Sequence, residues 1–364
     1  MKQFLSKILF RINIVFGVLL LLTYLSVFIS PERFWPAAFL GLLYPFLCIV
    51  NIAFVILWIV RRKKAFLFSL IVVAAGWWLM VRYVQINLPF FKKPVVTSNN
   101  KTLKMLTYNV RSFDYYKWSR FSDATNDIFA FILKESPDII CLQEFYSREK
   151  GSLTEANIRE VLKRTKYSHI KYITRKNHVS NYGIATFSAY PIVGQGEILY
   201  GKTFNLSIFT DIKVGSDTFR IYNNHLQSIK FAKPDYEAMD TITYDQKELR
   251  GIIGITKRLK KAFEIRAKQA EYIAAHIRSS PYPVIVCGDF NDSPISYTYQ
   301  TISKNMNDAF VEAGTGMGKS YFGVFPSYRI DYVLHSKTFS VSQYRSPNFD
   351  FSDHFPIICE IRKM

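Results

Sequence analysis

Carboxylates, amides and histidines recur in the later part of this sequence wherever a short apolar run ends. They are Asn109 in TYNV, Glu144 in LQEF, Asn224-His225 in NNHLQS, Asp289 with Asn291 in GDFNDSP, Asp331 in RIDYVL, and Asp353-His354 in SDHFPI. Such side chains exchange protons and bind cations, and strand ends with the loops beyond them are where a sheet presents a site to solvent. Taken singly, an Asp or Asn before a small residue is ordinarily a turn or a cap. Asp331 is different. A carboxylate inside an apolar strand must be paired to offset a desolvation cost of several kcal/mol, and a histidine is the obvious partner.

The runs that would position these residues read as strands with a few helices between them. Residues 103–110 alternate as a strand does, 123–134 have helical spacing until Pro137 stops them, and 138–145 form a short apolar run suited to a buried strand. Strands follow at 182–188, 205–214 and 218–225, the last two joined by the hairpin turn Gly215-Ser216-Asp217. A long basic amphipathic stretch, 255–278, precedes further strands at 283–289, 327–335, 339–344 and 356–362. Many strands with few helices imply sheets stacked face to face under an outer layer of helices. Residues 230–254 are polar and charged and read as an insertion or lid.

Ahead of this region lies text of another kind. Four of the five tryptophans fall in the first ninety residues, and residues 1–100 carry eleven Lys+Arg against the single acid Glu32. That stretch holds +10 of the net +19, which leaves a moderately basic remainder of +9. Three apolar segments, 12–29, 34–60 and 65–88, approach or exceed the roughly 20 residues that a membrane-crossing helix needs. Lys2, Lys7 and Arg11 before the first also suit a signal peptide, but no small-x-small cleavage site follows. Cationic residues gather at the amino end and in Arg61-Arg62-Lys63-Lys64, while the first loop has Arg33 beside Glu32. The charge rule then places the amino terminus in the cytoplasm and, after three crossings, the remainder outside it. Trp35 and Trp77-Trp78 would anchor at the interface; Lys92-Lys93 runs against the rule. The expected division is an anchor over 1–90, a linker over 91–101 rich in Pro, Lys, Ser and Asn, and a soluble domain over 102–364.

The ordered set TYNV, LQEF, NNHLQS, GDFNDSP, RIDYVL and SDHFPI resembles the endonuclease/exonuclease/phosphatase superfamily across residues 103–363. Each motif is weak alone; six in the family order are specific. The resemblance implies a four-layered α/β sandwich, two packed β-sheets flanked by helices, and metal-dependent cleavage of a phosphate ester. It also implies roles. Glu144 is similar to the family's principal Mg²⁺ ligand, Asn109 to the asparagine beside it, and Asp353 to a supporting or second-metal ligand. Mn²⁺ would serve the same hard-oxygen set. His354 resembles the catalytic histidine and Asp331 its orienting carboxylate. Asp289 and Asn291 resemble the pair that positions the attacking water and a phosphate oxygen, and His225 the second histidine near the phosphate or leaving group. Either Asp289 or His354 would remove the water's proton.

Three functions stay open at this level. The basic balance favours a nuclease, since phosphate contacts dominate nucleic-acid affinity; tethering beside a bilayer favours a lipid or small-molecule phosphodiesterase; and a catalytically silent membrane-tethered binding protein would share the fold. Tyr115, Tyr116, Lys117, Trp118 and Arg120 would suit a nucleic-acid groove, the sheet surface or the membrane. The basic stretch with Lys257, Arg258, Lys260, Lys261, Arg266 and Lys268 reads first as a solvated outer helix and second as a surface for nucleic acid or lipid headgroups. His169, His178, His276 and His335 match no motif and read as surface or cap residues. The four cysteines lack paired or zinc-type spacing and read as buried thiols. No obligate protein partner is expected.

Overall fold

The computed structural model describes the chain except residues 1, 87–100, 118–122, 177–178, 202–204, 230–245 and 323–328. Most of the expected linker, Lys92-Lys93, Trp118, Arg120, His178 and much of the expected insertion lie outside the described residues. The chain divides into two compact units. One comprises Met1–Tyr83, Ile229–Lys268 and Ser293–Thr301; the other comprises Val84–Ser228, Gln269–Asp292 and Ile302–Met364. The helix Gln246–Arg278 belongs to both, and it starts inside the stretch expected to be irregular.

In the first unit, Gln3–Leu25 and Pro36–Val60 are long and apolar enough to cross a membrane. The third expected span is not one helix. It is Phe66–Ala75 followed, after Gly76 leaves helical geometry, by Trp77–Met80. Ten residues of helix rise about 15 Å, half of a hydrocarbon core. The stretch nonetheless meets the other helices near both ends. Asn13 donates to Ser69 Oγ at 2.6 Å and accepts from Trp58 Nε1 at 2.8 Å, and the Tyr83 ring stacks on Tyr44 with centroids 5.7 Å apart. Polar groups inside an apolar bundle need such partners.

The second unit holds two six-stranded sheets. The strands are β1 (Thr102–Asn109), β2 (Ile139–Arg148), β3 (Tyr167–Lys176), β4 (Ser180–Ser188), β5 (Ile192–Ile198), β6 (Leu206–Val214), β7 (Asp217–His225), β8 (Val284–Asp289), β9 (Asn307–Asp308), β10 (Asp331–His335), β11 (Phe339–Arg345) and β12 (Ile357–Lys363). Their orders are β11-β12-β1-β2-β4-β3 and β5-β6-β7-β8-β10-β9. Alternation sorts the side chains of β1: Leu103 and Met105 meet Ile221, Ile285 and Cys287 between the sheets, while Leu106 and Tyr108 face Ile128 and Ile132 of the helix Ala124–Glu135. Three of the four buried cysteines, Cys141, Cys287 and Cys359, fill the space between the sheets.

Each sheet has one parallel pair near its centre, β1 with β2 and β7 with β8. The carboxyl ends of such pairs are where open α/β sheets place ligands.

Two histidines expected at the surface or in caps are buried. His335 makes a contact of 3.1 Å with Glu312, and His169 on β3 bonds Thr210 of β6 at 3.0 Å, linking the two sheets. Burial, followed by the charge of Lys171, pushes the His169 imidazole down to about 4. An unfolded histidine titrates near 6.5, so the unfolded chain binds this proton first as pH falls. Stability from His169 is therefore intact above about 6.5 and declines to a loss on the order of 3 kcal/mol at pH 4. Melting curves in one detergent at pH 7 and pH 4.5 should show a steeper acid loss for the wild type than for His169→Gln. Parallel losses would rule this linkage out.

Candidate active site

Asn109 ends β1, His225 ends β7 and Asp289 ends β8, so three of the expected residues leave the carboxyl ends of the two parallel pairs. Register brings the others beside them. His225 lies opposite Asp289 on one side and Asp331 opposite it on the other. Gly288 has φ +115°, and a Cβ there would come within 2.1 Å of the Asn224 carbonyl oxygen; only glycine lets β7 and β8 close up and aim Asp289 outward. Glu144 projects from an irregularity in β2, where the register with β4 shifts between Leu142 and Phe145. Its φ of 49° is an uncommon backbone state for a long side chain.

Asp331 does have the partner that its burial demands. Its Oδ2 sits 2.8 Å from His354 Nδ1, and both residues are about 95% buried. The other ring nitrogen, Nε2, lies 3.7 Å from Asp289 Oδ2. Burial alone would lower the His354 pKa. Asp331 and Asp289 outweigh that effect and bring it up to about 10. Asp289 is itself raised to about 6, chiefly by burial, with His354 pulling the other way. Asn291, at φ 53°, bonds the same carboxylate twice: N to Oδ1 at 2.8 Å and Nδ2 to Oδ2 at 3.0 Å. His225 Nε2 stands 3.8 Å from both Glu144 and Asp289, and burial lowers its pKa.

Glu144, Asn109 and Asp353 form the neighbouring group. Asn109 Nδ2 donates to Glu144 Oε1 at 3.3 Å and to Asp289 Oδ2 at 3.1 Å, while its Oδ1 accepts from Arg111 N at 3.1 Å. Ligation through the Asn109 oxygen therefore requires the amide to turn over. Burial, then the charge of Asp353, raises the Glu144 pKa. Two mutually repelling carboxylates and an amide make a hard-oxygen donor set, which a magnesium ion fits and whose repulsion it would relieve. Among the described residues, a group of three whose ligand atoms are close enough to hold a metal ion is a different one: those of Asp289, Asp331 and His354 lie within 4.8 Å of one another. A cation there would compete with the Asp331–His354 bond.

All eight expected residues thus meet at one end of the sheets. Asn224 does not join them; it turns inward and donates to Cys287 O at 2.9 Å, fastening β7 to β8. Several supporting residues were not among those expected. Ser320 Oγ accepts from the backbone of Ile330 and Asp331, Ser352 Oγ donates to Asn109 O, and Tyr321 lays its ring 5.0 Å from the His354 ring. Arg111 reaches Asp353 at 3.6 Å from a turn in which residues 111–114 all have positive φ. Tyr115 and Tyr116 pack on Tyr146 of β2.

Comparison with known proteins agrees with this architecture. Residues 106–354 match the Endonuclease/Exonuclease/phosphatase family, and the chain belongs to it. Residues 6–83 match a separate family described as a domain of unknown function (DUF8431). No curated protein sequence matches the chain. Among solved structures, the endonuclease/exonuclease/phosphatase from Beutenbergia cavernae is 17% identical with a TM-score of 0.53, covering 72% of each chain. The human Nocturnin catalytic domain with bound sulfate is 17% identical with a TM-score of 0.51, covering 72% of this chain and 95% of that one. A family protein from Bacteroides thetaiotaomicron is 14% identical with a TM-score of 0.50, covering 73% and 100%. At these identities the likeness establishes the fold: two sheets flanked by helices.

Proposed function

We propose that this chain is a membrane-anchored phosphoesterase that uses Mg²⁺, with Mn²⁺ as a substitute, to hydrolyse phosphodiester bonds. The carrying observation is the array Asp331–His354–Asp289, one histidine between two buried carboxylates at 2.8 and 3.7 Å, set beside a group of hard-oxygen donors. Membership of a family of nucleases and phosphatases supports the reaction class. In this reading Glu144, Asp353 and Asn109 hold the cation. When bound, it draws charge from the phosphate oxygens and lowers the pKa of a water. His354, kept cationic by Asp331, neutralises the charge that grows on the phosphate during in-line attack. Because His354 already holds its proton, Asp289 takes the proton of the attacking water, and Asn291 fixes that carboxylate. His225, neutral when buried, offers a ring N–H to a phosphate oxygen. A site this complete weighs against the silent binding protein.

Two substrate classes have separate support: the +9 balance after residue 100 favours nucleic acid, and the anchor favours a lipid. The deciding measurement is Mg²⁺-dependent hydrolysis by the full-length chain of DNA, RNA, phosphoinositides, sphingomyelin and bis-p-nitrophenyl phosphate. Hydrolysis of none, with Mg²⁺ bound, would return the binding-protein reading. An amino terminus in the cytoplasm and a catalytic unit outside it are supported by the loop charges and by three apolar stretches, the third of them broken at Gly76. Alkaline phosphatase fused after Met364 should then be active; a stable inactive fusion would reverse the orientation.

A further inference from the structure

The unit built around the apolar helices contains a short stretch from far along the chain, Ser293–Thr301. It begins two residues after Asn291. Three features fix it among the helices. Ile295 is 1% exposed and belongs to the apolar cluster of Leu20, Val27, Tyr44, Leu47 and Tyr83. Gly41 admits the Ile295 backbone: a Cβ at position 41 would stand 2.4 Å from the Ile295 carbonyl oxygen. Arg82, near the end of the third apolar stretch, donates to Pro294 O at 3.3 Å and Gln300 Oε1 at 2.7 Å. Its guanidinium also lies 4.8 Å from the Trp78 ring centroid and 4.9 Å from that of Tyr299.

An arginine at the end of a membrane span ordinarily snorkels to headgroups and water. Arg82 instead turns its planar fork to Pro294 and Gln300 and lies against the rings of Trp78 and Tyr299, a combination that lysine reproduces only in part. Between Asn291 and Ser293 the chain spans at most about 7 Å, so movement of the held stretch has little slack to absorb it. A misplacement of about 1 Å at a reacting centre costs on the order of a hundredfold in rate.

We propose that the anchor is a positioning element of the active site, with Arg82, Gly41 and Ile295 holding the chain that leaves the Asp289–Asn291 loop. It rests on the assignment of Asp289 and Asn291 to the reaction made above. The membrane helices are then part of the working enzyme rather than a tether.

The test compares full-length wild type with Arg82→Gln, Arg82→Lys and Gly41→Val in nanodiscs, with Arg61→Gln as a control at the opposite end of a span. Arg82→Gln should lower kcat about ten- to a hundredfold with KM nearly unchanged. Arg82→Lys should recover part of the loss, and Arg61→Gln should change neither. Hydrogen exchange supplies a readout independent of activity. The amides of Phe290 and Asn291, which donate to Ile330 O and Asp289 Oδ1, should exchange faster in Arg82→Gln and Gly41→Val. Unaltered kcat and exchange in both variants would overturn the proposal. An inactive wild type whose exchange still responds to Arg82→Gln would uphold the coupling and remove the catalytic assignment.

Discussion

Glu144→Ala in the full-length chain should lower Mg²⁺-dependent turnover by at least about a thousandfold, whatever phosphodiester proves to be the substrate. Glu144 faces Asn109 at 3.3 Å and is held by a left-handed bulge that ordinary strand geometry would not supply. Stability offers an independent check. Burial and Asp353 raise the Glu144 pKa, so without a cation its charge is a burden, and the metal-free variant should melt no lower than the metal-free wild type. Added Mg²⁺ should raise the wild-type melting temperature and leave that of Glu144→Ala unchanged, since only a ligand that binds the folded state stabilises it. Near-normal rates, or an undiminished Mg²⁺ shift, would remove Glu144 from the cation site.

The second large effect is at His354. Alanine there would leave the Asp331 carboxylate buried without its partner, at a cost of about 3–5 kcal/mol, and inactivity would then be confounded with unfolding. Glutamine keeps a donor for Asp331 but cannot carry the positive charge. His354→Gln should therefore fold, with kcat reduced about a thousandfold or more. Asp331→Asn should fall less, about a hundredfold, because the histidine remains but loses the interaction that raises its pKa to about 10. Far- and near-ultraviolet circular dichroism on the same samples separates fold from chemistry. A His354→Gln enzyme within tenfold of wild type would show that another group neutralises the phosphate.

The fold class was legible from the motif order, and the meeting of the polar residues at one end of the sheets has a physical reason. A carboxylate in an apolar strand has few tolerable explanations, so Asp331 pointed to a histidine and His354 is that histidine. The strands beside the site carry continuous apolar runs because both faces are buried, as in β8. The strands β3 and β5 were missed: β3, Tyr167–Lys176, is studded with Lys, Arg and His, and β5, Ile192–Ile198, carries two glycines. Both lie at sheet edges, where burial imposes less pattern. His169 and His335 read as surface or cap residues because a partner such as Thr210, forty-one positions from His169, leaves no local trace. The third apolar stretch had the composition of a span but not its continuity, since hydropathy does not register the break in helical geometry at Gly76.

The site is divided between the two sheets: Asn109 and Glu144 come from one, His225, Asp289 and Asp331 from the other, and Asp353-His354 from the loop that enters β12. The gap between the Asn109–Glu144 group and the His225–Asp289–Asp331 group follows the thickness of the apolar layer, in which Cys141, Cys287 and Ile221 are spacers. Tolerance at a reacting centre is a fraction of an ångström, finer than the adjustment a core makes when a methyl group is added or removed. The interior of this protein acts as a gauge block for its own chemistry, and core variants that leave the melting temperature almost unmoved would still register as changes in rate.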